Sequence, residues 1–480
     1  MIRSSENRYQ SPLIQRYASP EMAEIFAPIR RARLWRELWL ALAEAEGELG
    51  IEISGEALSA MRSKLDEIDL DRISQIECET RHEVMAHIRH FGEVAPEARG
   101  VIHLGATSAF VMDNADLVQH REAVSLARRR LLGVIAVLRE RAVENRAVAT
   151  VAYTHLQPAQ PTTIGKRVTL WIQDLLLDLE EINFRLGTLR FRGARGASGT
   201  EASFLALFDG DSARVDRLNA IIARKMGFEE VYGVTSQTYT RKIDAAFLAT
   251  LSGIAQSASK FANDLRLLQH LGEIEEPFEE TQVGSSAMPQ KRNPIRSERI
   301  CGLARHVIVL TLDPAFTASS QWLERTLDDS ANKRIAVPEA YLAIDGVLQL
   351  AHSIAAGMRV YPEVAARRLS EHTPALAAEP VLLRAVARGG NREELHERIR
   401  RHAMAATGRI QRGEASDFIE RLVADDVLGI DREELERLLR PEALVGRAPE
   451  QVDRFISEWV DPALERHQDQ IERKQPTLAI

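Results

Sequence analysis

The chain has 480 residues, of which 45% are hydrophobic, and a formal net charge of -8; this is enough material for about three ordinary domains with a substantial core. The negative charge argues against a general nucleic-acid binder, and Cys78 and Cys301 are too few for a disulfide framework or a thiolate metal site. We find no apolar run of membrane-spanning length, and the first ten residues lack the apolar centre of a signal peptide. We therefore expect a cytoplasmic protein that binds neither nucleic acid nor a membrane.

Helical periodicity dominates the first half of the chain. One pattern covers Leu117 to Arg146, and a second follows Pro161 with apolar residues from Ile164 to Leu179 on one face. Thr162 or Thr163 is a suitable N-cap for this second helix, because a threonine oxygen accepts the free N–H groups of the first turn.

The longest helical pattern runs from about Thr238 to His270. At 1.5 Å per residue it would extend about 50 Å, far more than an ordinary globular helix, which indicates a helical bundle. Further helices are predicted for Ile295 to Leu312 and for Arg334 to Met358, the latter kinked where Pro338 removes a backbone donor.

Strand signals are few, with short extended patches at Phe191-Arg192 and Glu230 to Val234, so we predict an essentially all-α chain. A turn-rich stretch around Gly105 to Asn114 and the sequence Val360-Tyr361-Pro362 predict two boundaries. A single bundle of three to five helices leaves one side apolar, so an oligomer is expected. The predicted domains are an N-terminal helical domain (1–110), a central long-helix bundle (111–361) and a C-terminal helical domain (362–480).

The segment GSSAMPQKRNP at residues 284–294 combines small hydroxyls, two cations and two prolines, and is too polar for a core. Its glycine and prolines predict a loop, and the apolar run after Pro294 predicts a helix that starts there. We expect Lys291, Arg292 and backbone N–H groups to face an anionic ligand near that helix N-terminus, where the partial positive charge favours anions.

This loop resembles the signature of the fumarase/aspartase superfamily and, within it, the adenylosuccinate lyase family. Several other segments resemble the same family in the same order, and such a concurrence is improbable by chance. They are RYASPEM at 16–22, RHEV at 81–84, HLGATS at 103–108, THLQPAQ at 154–160, QTYTRK at 237–242 and ERTLDDS at 324–330.

The resemblance implies an elimination that releases fumarate from adenylosuccinate, giving AMP, and from the succinylated aminoimidazole carboxamide ribonucleotide, giving its free amide, in purine biosynthesis. It implies no cofactor and no metal. It also implies a homotetramer whose bundles merge into one helical core, with each active site assembled from three subunits.

Such an elimination needs a base beside a carboxylate and an acid at the departing nitrogen. The resemblance assigns Ser285 as the base, although a serine must be activated by neighbours such as Lys291 and backbone N–H groups. It assigns His155 as the acid, which suits an imidazole with a pKa near neutral pH. His82 is the competing histidine and is left as a substrate-contacting or proton-relaying helper.

The remaining family positions are assigned to the substrate, which carries two carboxylates and a phosphate. Those for the nucleotide, chiefly its phosphate and ribose, are Arg16, Tyr17, Arg81, Arg299, Arg325, Ser330 and Arg334. Those for the succinyl group or nearby base are Thr107, Ser108, Gln237, Ser286, Lys291 and Asn293. Glu83 is also assigned to the substrate, although it stands where aspartate is usual in the family. Gln290 departs from the pattern too, because an aromatic residue or histidine is usual there.

Several alternatives stay open at this stage. The glycine-rich stretch Gly193–Gly199 lacks the order of a dinucleotide fingerprint and is interpreted as a mobile loop over the site. Arg325 and Arg334 flank Asp328-Asp329, so a plain ion pair within this segment is a rival explanation for both arginines. The rival functions are another fumarate-releasing lyase, such as an argininosuccinate lyase, and a catalytically silent helical scaffold.

Overall fold

The structure is a computed structural model, and it describes residues 9–279, 282–284, 287–288 and 290–472. Helices account for most of these residues, so the predicted all-α class is confirmed. The helices of the N-terminal half are α1 Pro20–Ile25, α2 Pro28–Glu48, α3 Gly55–Ser63, α4 Leu70–Thr80, α5 Glu83–Val94, α6 Ser108–Glu144, α7 Ile164–Thr188, α8 Ala202–Leu207 and α9 Ser212–Lys225.

The second half begins with the long bundle helices and ends in shorter ones. These helices are α10 Lys242–Leu271, α11 Ile295–Leu310, α12 Leu312–Ser320, α13 Asp329–Gly357, α14 Pro362–Leu376, α15 Ala378–Ala387, α16 Arg392–Ile410, α17 Phe418–Val423, α18 Arg432–Leu438, α19 Pro441–Leu444, α20 Ala448–Phe455 and α21 Asp461–Glu465. Single turns of other helix types lie at Leu13–Tyr17, Pro96–Ala98, Ile456–Val460 and Gln468–Gln470.

The described residues also form two small antiparallel strand pairs. A hairpin joins β1 Ala149–Thr154 to β2 Gln157–Thr163, and β3 Ile274–Glu275 pairs with β4 Arg359–Val360. The hairpin was not predicted, because four of its seven β2 residues are proline or glutamine and give no alternating pattern. The extended patches predicted near residues 191 and 231 form one isolated parallel bridge between Phe191 and Val231.

The middle parts of the long helices lie where the sequence predicts them, whereas some of their ends differ from the prediction. Thr163 is the N-cap of α7, as predicted, and its side chain accepts the N–H of Lys166. α6 starts at Ser108, well before Leu117, so the prediction of turns as far as Asn114 was wrong. Asp113 and Asn114 are polar residues buried within the first turns of this helix, and their polarity concealed its periodicity.

The bundle core consists of α6, α7, α10, α11 and α13, whose buried faces pack together. A second cluster gathers α2, the first turns of α6, α8 and α9, and a third holds the short helices between Ala377 and Leu435. The ends of the bundle helices therefore position the segments that precede them. These include residues 235–241 before α10 and residues 321–328 before α13.

One helical stretch, Ile295–Ser320, is apolar and long enough to cross a membrane by length and composition, with a mean hydropathy of 1.3. This corrects the expectation that no apolar run reaches that length. Buried residues such as Ile300, Ala304 and Val307 pack in the bundle core, whereas the large side chains of Val309 and Phe316 are exposed. Core helices of bundles pass the same composition test.

Candidate active site

A cavity of about 790 Å³ opens where the α4–α5 junction, the start of α6, the segment before α10 and the start of α13 meet. Residues far apart in sequence line it together. Among them are nine residues predicted to bind substrate, namely Arg81, His82, Glu83, Thr107, Ser108, Gln237, Arg325, Ser330 and Arg334.

The α4–α5 junction fixes the backbone of the first cavity wall. Arg81 ends α4 in the left-handed region, at φ 56°, and its N–H donates to the carbonyl of Glu77 at 2.7 Å. His82 caps α5, because its Nδ1 accepts the N–H of Met85 at 3.2 Å. Nδ1 is therefore unprotonated, and in the neutral ring the proton lies on Nε2, which is 3.5 Å from the Ser108 hydroxyl.

Glu83 joins two arginines at the mouth of the cavity. Its two carboxylate oxygens accept from Arg31 at 2.7 Å and from Arg334 at 2.5 Å. Arg334 is 43% exposed on its side chain, so part of the guanidinium remains open to a ligand. The rival explanation of an ion pair between Arg334 and Asp328-Asp329 is therefore wrong for this arginine, which has a partner from another helix.

Arg325 lies between two groups of the cavity floor. It donates to the Gln237 side-chain oxygen at 3.1 Å, and its other terminal nitrogen is 3.9 Å from Asp329. Asp329 itself is fully buried and accepts from Arg241 at 2.6 Å. An ion pair within the segment exists here, but it is long, and the stronger partner of Asp329 is Arg241.

A buried charge cluster supports this floor. Arg241 also donates to both oxygens of Asp113, at 3.1 and 3.3 Å, and Asp113 accepts the N–H of Tyr239 at 2.9 Å. Burial by itself raises the pKa of Asp113, but Arg241 and Lys333 hold it below its usual value. The carboxylate is thus ionised, and the paired charges fix residues 237–241 against α6 and α13.

The glycine-rich stretch packs beneath Gln237 rather than covering the site. Arg192 is fully buried and donates to the carbonyls of Gly193, Gly196 and Gln237. The Gln237 amide donates to the carbonyl of Ala197 at 3.0 Å. A buried guanidinium and a side-chain amide thus hold the backbone of residues 192–197 beside Gln237, which corrects the expected position of the glycine-rich stretch over the site. Its mobility stays a prediction.

His155 lies elsewhere, at the tip of the β1–β2 hairpin. Thr154 pairs with Gln157, which leaves His155 and Leu156 as a two-residue turn with φ 53° and 58°. Such a turn favours Asn-Gly, and side chains with positive φ are strained, a feature that clusters at functional sites. His155 is exposed and Leu156 is 72% exposed, so the hairpin presents both side chains outward.

Ser285 and Ser286, the predicted base and its neighbour, lie outside the described residues. The structure does describe the end of their loop, from Gln290 to Pro294. The Lys291 N–H donates to the carbonyl of Met288 at 3.0 Å, and Asn293 donates to the carbonyl of Gly284 at 2.8 Å. The Lys291 side chain is exposed.

The helix after this loop does not offer its N-terminus to a ligand. Glu276 accepts the N–H groups of Arg296 and Ser297 and the Ser297 hydroxyl, at 2.9 to 3.0 Å. These donors belong to the first turn of α11, so a carboxylate of the protein occupies the position expected for the anionic ligand. That expectation was wrong for the helix end. Arg292 likewise donates to Glu275 at 3.1 Å.

The remaining predicted residues do not line the 790 Å³ cavity. Arg16 is exposed and Tyr17 half-buried on the turn before α1, and Arg299 is half-buried on α11. Within one chain, nine of the predicted residues therefore line one cavity. The other described ones lie at the hairpin tip, in the loop before α11, on α11 and on the N-terminal turn. Among the described residues, no group of three or more His, Cys, Asp or Glu is arranged to hold a metal ion.

Comparisons with known proteins cover nearly the whole chain. The lyase family matches residues 18–309, and the adenylosuccinate lyase C-terminus family matches residues 374–455. The chain is 46% identical to adenylosuccinate lyase of Saccharomyces cerevisiae over 479 residues, which is 99% of both chains. The chain belongs to the adenylosuccinate lyase family.

Another member of this family, from Schistosoma mansoni, is 45% identical over 464 residues, 96% of this chain and 97% of its own. Solved structures share the fold at lower identity. The 3-carboxy-cis,cis-muconate lactonizing enzyme of Pseudomonas putida and a fumarate lyase of Mesorhizobium sp. BNC1 both have a TM-score of 0.81 at 24% identity, and they cover 96% and 94% of this chain and all of their own. The chain is thus an enzyme of the lyase class with the fold of this superfamily.

Three residues that support the site of this lyase were not named from the sequence. Arg31 holds Glu83, Arg241 holds Asp329, and Glu276 caps α11. Arg241 lies inside the QTYTRK segment, which was a usable signal. Arg31 and Glu276 lie in ordinary charged surroundings, and nothing in the local pattern separates them from solvated surface residues.

Proposed function

We propose that this lyase removes fumarate from adenylosuccinate, giving AMP, and from the succinylated aminoimidazole carboxamide ribonucleotide, giving its free amide. Family membership over 99% of the chain is the observation that carries the proposal. The cavity supports it, since Arg81, Arg325 and Arg334 supply cations for a phosphate or carboxylate, and Thr107 and Ser108 supply hydroxyl donors.

In the proposed reaction Ser285 takes a proton from the succinyl carbon beside a carboxylate. The carbon–nitrogen bond then breaks, and His155 gives a proton to the departing nitrogen. Lys291 and Asn293 stabilise the negative charge that develops on the adjacent carboxylate. The strained, outward-facing turn that carries His155 supports its role as a functional group rather than a structural histidine.

We further propose a cytoplasmic homotetramer with active sites shared between subunits. Support comes from the separation of His155 from the cavity within one chain, and from exposed apolar side chains on the bundle. On α7, Leu170, Leu177 and Phe184 repeat every seven residues and are 50 to 56% exposed. Such a stripe is typical of a helix face that packs against another helix.

A three-part division of the chain at residues 1–110, 111–361 and 362–480 remains our proposal. It is supported by three clusters of buried side chains, centred on α2, on the bundle helices and on the short C-terminal helices. α6 crosses the first boundary and contributes to two of the clusters, so the first two parts are not expected to fold independently.

The test is fumarate release by the purified protein from adenylosuccinate, from the succinylated imidazole nucleotide and from argininosuccinate, each with and without a chelator. Chelator-insensitive release from both purine precursors is expected. Release from argininosuccinate alone would instead support the rival lyase, and no release from any of the three would overturn the proposal. Light scattering at the assay concentration separately tests the tetramer.

A further inference from the structure

The N-terminal turn that carries Arg16 and Tyr17 is fastened to the middle of α13. The N–H of Ser19 donates to Asp345 Oδ2 at 2.6 Å, and Gln349 donates both to the same oxygen, at 2.8 Å, and to the carbonyl of Tyr17, at 3.2 Å. The contacts of Ser19 and Tyr17 join residues more than 300 positions apart. The backbone position of the turn thus depends on Asp345.

Asp345 is itself held by Arg130, from α6. Its Oδ1 accepts from Arg130 Nε at 2.6 Å, and both side chains lie in the interior, with exposures of 0% and 6%. The two remaining nitrogens of Arg130 reach outward. Nη1 donates to the carboxylate of Glu472 at 2.7 and 2.8 Å, and Nη2 donates to Glu21 at 3.0 Å. Each of the three guanidinium nitrogens donates to a carboxylate, which fixes the orientation of the group.

Glycines allow the backbone to approach closely at both ends of this chain of contacts. A Cβ on Gly346 would lie 3.0 Å from the Tyr17 backbone, and a Cβ on Gly133 would lie 2.6 Å from the carbonyl oxygen of Glu472. The N-terminal turn and the C-terminal segment are therefore seated against the bundle by backbone contact as well as by ion pairs.

We propose that Arg130 and Asp345 are positioning residues that hold the Arg16–Tyr17 turn at the nucleotide, and that Glu472 couples the C-terminal segment to nucleotide affinity through Arg130. This rests on the proposed function, which assigns Arg16 and Tyr17 to the nucleotide. None of the three residues touches substrate in this scheme. Without the Glu472 carboxylate the guanidinium loses one of its three anchors, so Asp345 and the turn above it become less fixed.

The test compares Glu472→Gln with a matched control, Asp461→Asn. Asp461 also lies in the C-terminal part and accepts from an α6 arginine, Arg139, at 2.9 and 3.1 Å, but this pair has no contact with the N-terminal turn among the bonds described. We expect Glu472→Gln to raise the KM for adenylosuccinate about tenfold with kcat within about twofold, because the turn binds ground and transition states equally. The control variant should retain both constants.

A merely structural role for Glu472 gives a different result, since partial unfolding removes active molecules and lowers kcat at an unchanged KM. That outcome, or equal KM changes in Glu472→Gln and Asp461→Asn, would overturn the proposal. The dissociation constant of AMP, measured by calorimetry on the same proteins, provides the same comparison without turnover. A wild-type protein that binds AMP but releases no fumarate would thus contradict the proposed reaction and still test this inference.

A second variant tests the route through the N-terminal turn. In an Arg16→Ala/Tyr17→Ala background the turn has lost both of its proposed nucleotide contacts, so adding Glu472→Gln should raise KM by less than about twofold. A full tenfold increase in that background would show that Glu472 acts by another path and would overturn the inference. Circular dichroism melting of each variant checks that the proteins compared are equally folded.

Discussion

The cavity beside α5 and the tip of the β1–β2 hairpin organise their side chains in opposite ways. In the cavity the predicted ligand residues are tied to partners: Arg334 to Glu83, Arg325 to Gln237, and His82 to the N–H of Met85. At the tip, His155 extends from a strained two-residue turn into the open. The chain therefore fixes the groups proposed to bind substrate through contacts of its own, and it presents the histidine proposed as the acid on an exposed turn.

This difference has a physical basis. A guanidinium cluster without counter-ions would repel itself, and here Arg31 and Arg334 share the carboxylate of Glu83. An acid that transfers a proton is most effective at a desolvated site, and a hairpin tip becomes desolvated when another surface covers it.

Replacing His155 with alanine should lower kcat at least about a hundredfold, the usual scale for loss of a general acid, while the dissociation constant of AMP stays near normal. The measurement is fumarate release at saturating adenylosuccinate together with AMP calorimetry. His396→Ala, at another exposed histidine on α16, is the control and should keep full activity. Unchanged turnover in His155→Ala would remove this residue as the acid.

Mixing His155→Ala with Ser285→Ala distinguishes a shared site from a site within one chain. After subunit exchange, some sites would receive an intact His155 and an intact Ser285 from different subunits, so part of the activity should return. Exchange is verified with differently tagged subunits in the same sample. If verified hybrids stay inactive, each chain carries its own complete site and the proposed sharing is wrong.

On the cavity side, Arg334→Met should raise the KM for adenylosuccinate about tenfold or more with a smaller change in kcat, because a charge-assisted contact to a phosphate or carboxylate is lost. Arg190→Met is a matched control, since Arg190 is similarly exposed and forms an ion pair with Glu230 at 2.7 Å. Equal kinetics of the two variants would place Arg334 outside the nucleotide site.

Glu276→Gln tests the cap of α11. Glutamine cannot accept from all three donors that Glu276 now satisfies, so the free energy of unfolding should fall by about 1–3 kcal/mol. Chemical denaturation of the wild type and of Glu276→Gln measures this difference in the free energy of unfolding. If the helix end were a ligand site instead, removing the carboxylate would tighten fumarate binding with little change in stability, and calorimetry would detect the tighter binding.

At neutral pH the smallest effect concerns His103, which accepts from the Trp39 indole at 2.8 Å. Burial, with a smaller contribution from His82, lowers the pKa of His103 to about 4. The unfolded chain binds this proton below about pH 6.5, so the folded state loses stability as pH falls from there toward 4, by up to about 1.4 kcal/mol per pH unit. His103→Asn should flatten that slope, because asparagine accepts a hydrogen bond, tolerates the φ of 70° and does not titrate.

The control for this slope is His396→Asn, which removes an exposed histidine and should leave the pH dependence of stability unchanged. Denaturation midpoints of the variants and the wild type at several pH values between 4 and 7 measure this pH dependence. A His103→Asn protein with the slope of the wild type would mean that His103 takes up its proton in the folded state and does not contribute to the acid sensitivity of this region.

Much of the fold was predictable because long helices carry their signal locally. The buried positions of α10 and α7 recur every three or four residues, so their cores were evident from the sequence. The hairpin was not predictable in this way, because Gln157 to Thr163 pair with β1 through backbone groups that every residue has. The first turns of α6 were missed since Asp113 and Asn114 are buried for their hydrogen bonds and not for apolar surface.

The sequence by itself determined the family, the helical class and the chemical types present at each motif, because those properties reside in residue identity and short-range spacing. Tertiary structure alone decided which charges meet. Asp345 accepts from residues 19, 130 and 349, and Glu83 joins residues 31 and 334. Ion pairing depends on distance in space, and the packing of helices that are remote in sequence sets that distance, so no local pattern encodes it.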